Sequence, residues 1–138
     1  MNLPSLITDN IVELLVKIIE FTQARHKILT DNINCMNVRD FMPNDLTVDE
    51  FSDILNNSIL EHIRNGRLVM HDTDNIKFGQ DGNFNVKPVM DMKAKRLLQE
   101  NPDKYLDLQV DKLKENMVNQ RLAAELLRQK QQANSVID

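Results

Sequence analysis

Four side chains in this sequence carry the soft donor atoms that a transition metal prefers: His26, Cys35, His62 and His71. Their spacings of 9, 27 and 9 residues match no zinc pattern, in which ligands come in close pairs. Asp72, Asp74, Asn75 and Asp81 supply oxygen ligands at first glance, but the run lacks an acid at its third ligand position and a glycine at the expected centre of a calcium loop. It reads as a solvated turn. Asp49-Glu50 stands at a helix start, where the dipole already favours acids. Lys93-Ala94-Lys95-Arg96 has no interleaved aromatics on which bases would stack, and reads as a solvated helix face. Gly-x-Ser-x-Gly, a phosphate-cradling glycine loop and His-Glu-x-x-His do not occur. No catalytic residue, metal ligand or cofactor contact is assigned, and enzyme activity is not expected. Asn56-Asn57-Ser58, a formal glycosylation triplet on a predicted helix, is discounted.

If the chain does no chemistry, its function lies in its surfaces, and the composition bears on what those are. The sequence has 138 residues, five Phe, one Tyr, no Trp, three Gly and four Pro. A β-sandwich or barrel draws on more turn residues and more large β-formers. The apolar supply is aliphatic with seven Met, so a mostly α fold in one domain is expected, burying roughly two-thirds of the unfolded surface. The net charge of −4 offers no basic face for nucleic acid. It is uneven: residues 39–92 hold 10 acids against 5 bases, residues 93–138 hold 7 against 9. A single cysteine, Cys35, excludes an internal disulfide. The first basic residue is Lys17, so the basic start of a secretory signal is missing and any export is expected to avoid a cleavable one. Ile11 to Ile19, broken by Glu13 and Lys17, is too short for a membrane span.

Periodicity divides the chain into a long helix over 5–35, a middle segment over 36–103 and a long helix over 104–132. In the first helix Ile7, Ile11, Leu14, Ile18, Phe21, Arg25, Ile28 and Asn32 alternate steps of four and three, which is a heptad seam. Leu15, Ile19, Thr22, His26, Leu29 and Ile33 form a second register beside it. In the last helix Leu106, Val110, Leu113, Met117, Gln120, Ala124, Leu127 and Gln131 repeat the pattern after an Asn101-Pro102-Asp103 start. At ~1.5 Å per residue each helix spans some 45 Å. Within the middle, Thr47 and Glu50 form a capping-box pattern for a helix over 48–65, with Gly66 as its left-handed stop. Residues 67–87 form a loop or a loose hairpin, with Arg67–His71 and Phe84–Val86 as its β-capable runs. A short helix is predicted over 88–100, since Lys87 precedes a proline.

The two terminal helices are expected to pack as an antiparallel coiled-coil pair. The apolar stripes are too wide for one partner helix to cover, and large uncovered patches point to assembly. The packing residues expected are Ile11, Leu14, Leu15, Ile18, Phe21, Ile28, Leu29, Asn32 and Ile33 in the first helix and Leu106, Val110, Leu113, Met117, Ala124 and Leu127 in the last. Arg25 and Asn32 are polar seam positions that either fix register or lie at the seam's edge in water.

The run Arg25-His26-Lys27-Ile28-Leu29-Thr30-Asp31-Asn32-Ile33-Asn34-Cys35-Met36-Asn37 resembles the signature of bacterial flagellar rod and hook proteins. In that family the first helix ends on Arg, two aliphatics and Asn-Ile-Ala-Asn-Ala-Asn/Asp, then Thr-Pro-Gly-Tyr. Asp45-Leu46 and Asp49-Glu50-Phe51 through Ile54-Leu55 look like the acidic-aromatic stretch of the FlgB-like proximal rod proteins. Asp81-Gly82-Asn83 is similar to that family's Asp-Gly-Asn turn. Leu106-Asp107-Leu108, Leu113, Glu115-Asn116 and Ala123 to Leu127 look like its closing helix. The resemblance covers most of the chain. Departures are Val38-Arg39-Asp40-Phe41 in place of Thr-Pro-Gly-Tyr, Asn34 and Met36 in place of alanines, and Gln120 in place of an aromatic. An inserted stretch also lies between Asp-Gly-Asn and Leu-Asp-Leu.

The resemblance implies a structural subunit of the flagellar basal-body rod, exported through the flagellum's own channel and assembled helically through its terminal helices on the periplasmic side. Its partners would be further copies, other rod and basal-body proteins and the export apparatus. Arg25, Asn32, Ile33, Asn34, Asn37, Phe41, Asp81, Gly82, Asn83 and Asn116 are the positions that carry the family pattern. The alternative is a soluble dimeric helical adaptor or secretion chaperone that takes a partner helix into a groove.

Overall fold

A computed structural model describes residues 3–79 and 84–137. The order is α1 (Leu3–Asn34), β1 (Asn44–Asp45), α2 (Val48–Asn65), β2 (Ile76–Phe78), β3 (Phe84–Val86), β4 (Val89–Met90), α3 (Met92–Glu100) and α4 (Pro102–Ile137). The fold is mostly α, with two long helices and a small antiparallel strand region between them. No described helix is long and apolar enough to cross a membrane.

α1 and α4 pack along one another in opposite directions: Asn32 bonds Gln109 near one end, and Asn116 bonds the Thr22 carbonyl further along. α4 begins as its sequence implies, with the Asn101 side chain accepting from the Lys104 amide at 3.2 Å and Pro102 in the first helical position. It runs past Gln132 to Ile137, since neither Gly nor Pro follows Pro102.

The middle segment packs against α1 beside α4. Phe21, Leu46, Phe51, Ile54 and Ile76 form the buried core, with Ile18, Ile28, Phe78, Phe84 and Val86 packed around it. Phe21 and Phe51 stack with centroids 4.1 Å apart and planes 6° from parallel, and Phe84 leans on Phe51 at 6.0 Å. Few as they are, four of the five phenylalanines meet here. The β2–β3 hairpin pairs Ile76 with Val86 and Phe78 with Phe84, so its period-two alternation turns these four inward. A second clip pairs Asn44 with Met90 and Asp45 with Val89, closing the middle segment on itself.

Three expectations are corrected. The first hairpin strand is Ile76–Phe78, not Arg67–His71, which stays irregular; there the Val69 carbonyl accepts from Ser58 Oγ at 2.8 Å instead of joining a ladder. The third helix starts at Met92, not 88, because Val89–Met90 is held as a strand and Asp91 is the cap, its carboxylate taking the Ala94 amide at 3.0 Å. The capping box does not form. The Thr47 side chain makes no cap bond, and Glu50 is drawn away by Thr73 Oγ1, the Asn75 amide at 3.0 Å and Asn75 Nδ2 at 2.9 Å. Burial pushes the Glu50 carboxyl up, but these bonds outweigh it and hold it below its usual value. Of the two readings left open for Arg25 and Asn32, the water-facing one does not hold: both are buried. Gly66 does end α2 in the left-handed region, at φ 70°. Asp81, Gly82 and Asn83 lie outside the described residues.

Candidate assembly surface

The α1–α4 contact is built largely from polar groups. Arg25 of α1 holds Asp45 of β1 with both nitrogens, Nε to Oδ1 at 2.9 Å and Nη2 to Oδ2 at 3.0 Å. From α4, Lys112 Nζ reaches Asp45 Oδ2 at 2.9 Å and Asp91 Oδ2 at 2.7 Å. Two cations and two anions therefore balance across four elements. Burial pushes the Asp45 carboxyl up, but the bonds from Arg25 and Lys112 outweigh it and leave it lowered. Burial likewise pushes Lys112 down, and Asp91 and Asp45 more than reverse this.

Two turns further along α1, Asn32 is saturated. Its Nδ2 donates to the Asn44 carbonyl at 2.7 Å and to Gln109 Oε1 at 2.9 Å; its Oδ1 accepts from the Asn44 amide at 3.2 Å. Its own carbonyl accepts from the Tyr105 hydroxyl at 2.7 Å. Tyr105 is fully buried, and that burial is the main cause raising its pKa to about 12. Asn116, also buried, donates to the Thr22 carbonyl at 2.8 Å. Such groups are costly to bury unless paired, and their fixed geometry sets one register between the helices.

The line of α4 turned to α1 is thus Tyr105, Gln109, Lys112, Asn116 and Ala123, one residue before the expected seam at almost every step. Hydropathy conceals it, because four of its five members are polar or amphipathic; of these four the rod-protein resemblance points only to Asn116. The expected seam is displaced towards solvent. Leu106 and Met117 are 36% and 37% exposed, Ala124 is exposed, and Val110, Leu113 and Leu127 are half-buried.

In α1, Leu15, Phe21, Leu29 and Asn32 are buried, while Ile11, Leu14, Ile18, Ile28 and Ile33 are half-buried. Phe21, Ile18 and Ile28 serve the core on the middle-segment side, and Leu29 and Asn32 lie deepest. Among the family-pattern positions, Arg25, Asn32 and Asn116 come together in the α1–α4 contact region, whereas Asn34 and Asn37 are exposed and Phe41 is half-buried. Between α1, α2 and α4 lies an apolar cleft of about 260 Å³, floored by Leu15 and Phe21 and walled by Leu55, Leu122 and Leu126.

After α1 the chain turns at Val38-Arg39-Asp40-Phe41, closed by the Phe41 amide on the Val38 carbonyl at 3.2 Å. Asp40 has φ 60°, the one non-glycine residue in the left-handed region among those described. That is the third position of the turn, where a type II turn takes glycine. Here the family pattern has its Gly and this chain has Asp.

The side chains first considered for chemistry do not gather. Among the described residues, no three His, Cys, Asp or Glu side chains are placed to hold a metal ion. Comparison of the chain with protein-family models, with curated proteins and with solved structures finds no match.

Proposed function

We propose that this chain is a structural subunit of the bacterial flagellar basal-body rod, joined to its neighbours through its terminal helices. The observation that carries the reading is the division of labour on α4. Polar groups fasten it to α1, and the heptad line Leu106, Val110, Leu113, Met117, Ala124 and Leu127 is left at or near the surface. A monomer gains nothing from a repeating apolar line along its outside; an assembly does. Two further features support it. Arg25, Asn32 and Asn116, brought forward by the rod-protein resemblance, share one buried contact region. The turn after α1 keeps a left-handed residue where that family has glycine. The partners are further copies, other rod and basal-body proteins, and the flagellar export apparatus.

The test is a strain whose copy lacks residues 106–132. It is expected to lose motility and rod incorporation while export-apparatus components stay in place; normal swimming refutes the reading. The alternative, a soluble dimeric adaptor or secretion chaperone, draws on the apolar cleft between α1, α2 and α4, which would take an apolar side chain of a partner helix. Purified basal bodies separate the two: a rod subunit is retained in them and an adaptor is absent.

A further inference from the structure

The Leu106–Leu127 line of α4, exposed at Leu106, Met117 and Ala124 and half-buried at Val110, Leu113 and Leu127, has an order of its own. Turned end for end its outer positions repeat, Leu106 and Leu127 at the ends and the smaller Val110 and Ala124 inside them, with Met117 central and Leu113 falling opposite Gln120. It sits about 100° around the helix from the line that meets α1, since the two differ by one residue at 3.6 residues per turn. On the flank away from α1 the charge changes sign along the helix. Asp103 and Asp107 with Lys114 stand in the first half, Arg121 and Arg128 with Glu125 in the second, all exposed, so the net charge of the flank passes from −1 to +1. The outer positions of the apolar line therefore mirror each other, and the net flanking charge changes sign, about Met117.

A surface with that property is complementary to itself in one orientation only. Set antiparallel, Asp103 and Asp107 of one copy approach Arg128 of the other, twice over, and leucines meet in the apolar layer between them. Set parallel, each aspartate meets its own copy. Arg128 is engaged by Glu125 on its own helix, Nε to Oε2 at 3.0 Å, but both side chains are exposed and such i,i+3 pairs exchange readily. Lys114 and Arg121 come near each other across the middle as like charges. Both are long enough to turn into water, which keeps the contact reversible.

We propose that α4 is a self-pairing surface: two copies dock antiparallel along Leu106–Leu127 and cross near Met117. With α1 beside each α4, the product is a four-helix bundle made of two helix pairs. The patch is isologous and the dimer closed. The pairing does not rest on the rod reading. If that reading holds, the dimer is the soluble form that keeps the line covered before export.

The test uses the full chain with Cys35→Ser, a background checked for its native helical signal, and a short bis-maleimide linker. Met117→Cys is expected to cross-link to its own copy. Leu106→Cys is not, because Leu106 stands ~33 Å from its counterpart in an antiparallel pair crossing at Met117. Equal cross-linking of both variants means a parallel pair and overturns the proposal. So does a dimer that links through Ile63→Cys on α2 but not through Met117→Cys, or a chain that sediments as a monomer throughout the micromolar range. In sedimentation equilibrium, Asp107→Arg is expected to weaken dimerisation about tenfold and Asp107→Arg with Arg128→Asp to restore it. Failure of the double exchange to restore it removes the charge argument and, with it, the assigned orientation.

Discussion

Arg25 and Asp45, twenty residues apart, meet as a buried bidentate pair that Lys112 of α4 completes from the other side. Because the arginine lies on α1 and the aspartate on a two-residue strand after the turn, the pair fixes where the middle segment leaves the first helix. Lys112 then makes the position of α4 depend on the same carboxylate.

Asp45→Asn is therefore expected to destabilise the fold by about 3 kcal/mol or more, since it leaves Arg25 and part of the charge on Lys112 buried without an anion. Chemical denaturation measures it. The pH dependence follows from the lowered Asp45 pKa. Its contribution is fully present above the unfolded aspartate value of about 3.9 and is lost as pH falls through the lowered folded value. In Asp45→Asn the acid-side slope attributable to this residue disappears; an unchanged acid profile contradicts the assignment.

Tyr105 carries the alkaline counterpart. Its folded pKa is raised to about 12, so its contribution is complete below the unfolded tyrosine value of about 10 and is lost as pH rises between the two. Tyr105→Phe keeps the packed ring but leaves the Asn32 carbonyl without its donor. A loss of about 1–2 kcal/mol at neutral pH is expected, with a flatter stability curve above pH 10. Phenolate absorbance against pH in the folded protein checks the raised titration directly.

Asn32→Leu fits the heptad pattern better and is expected to destabilise. The leucine strands the Asn44 amide and carbonyl and the Gln109 side-chain oxygen, at about 1–3 kcal/mol for each buried group left unpaired. Asn32→Leu combined with Gln109→Leu is expected to recover part of the loss. A single variant more stable than the parent would show that the apolar pattern, not the polar network, holds α1 to α4.

At the turn after α1, Asp40→Gly is expected to preserve or raise Tm, because glycine occupies φ near 60° without steric penalty. Asp40→Val is expected to cost about 1–2 kcal/mol at the same position. Equal stability for the two would mean that this residue is not held left-handed in solution.

The sequence by itself determined the helical class, the two long terminal helices, the Gly66 stop and the Asn101-Pro102 start, because each rests on local chemistry: periodicity, an absent breaker, a fixed φ. It also determined that the chain has more apolar periodicity than one helix partner can cover. Only the tertiary structure decided which line of α4 faces α1. A seam of Tyr, Gln, Lys and Asn is invisible to hydropathy, and its members become favourable to bury only when Asn32, Thr22 and Asp45 arrive from distant parts of the chain to pair with them. The same holds for Glu50. Its spacing from Thr47 is that of a local cap, but Thr73 and Asn75 offer it more hydrogen bonds than a helix end can, and long-range pairing outweighs the local pattern.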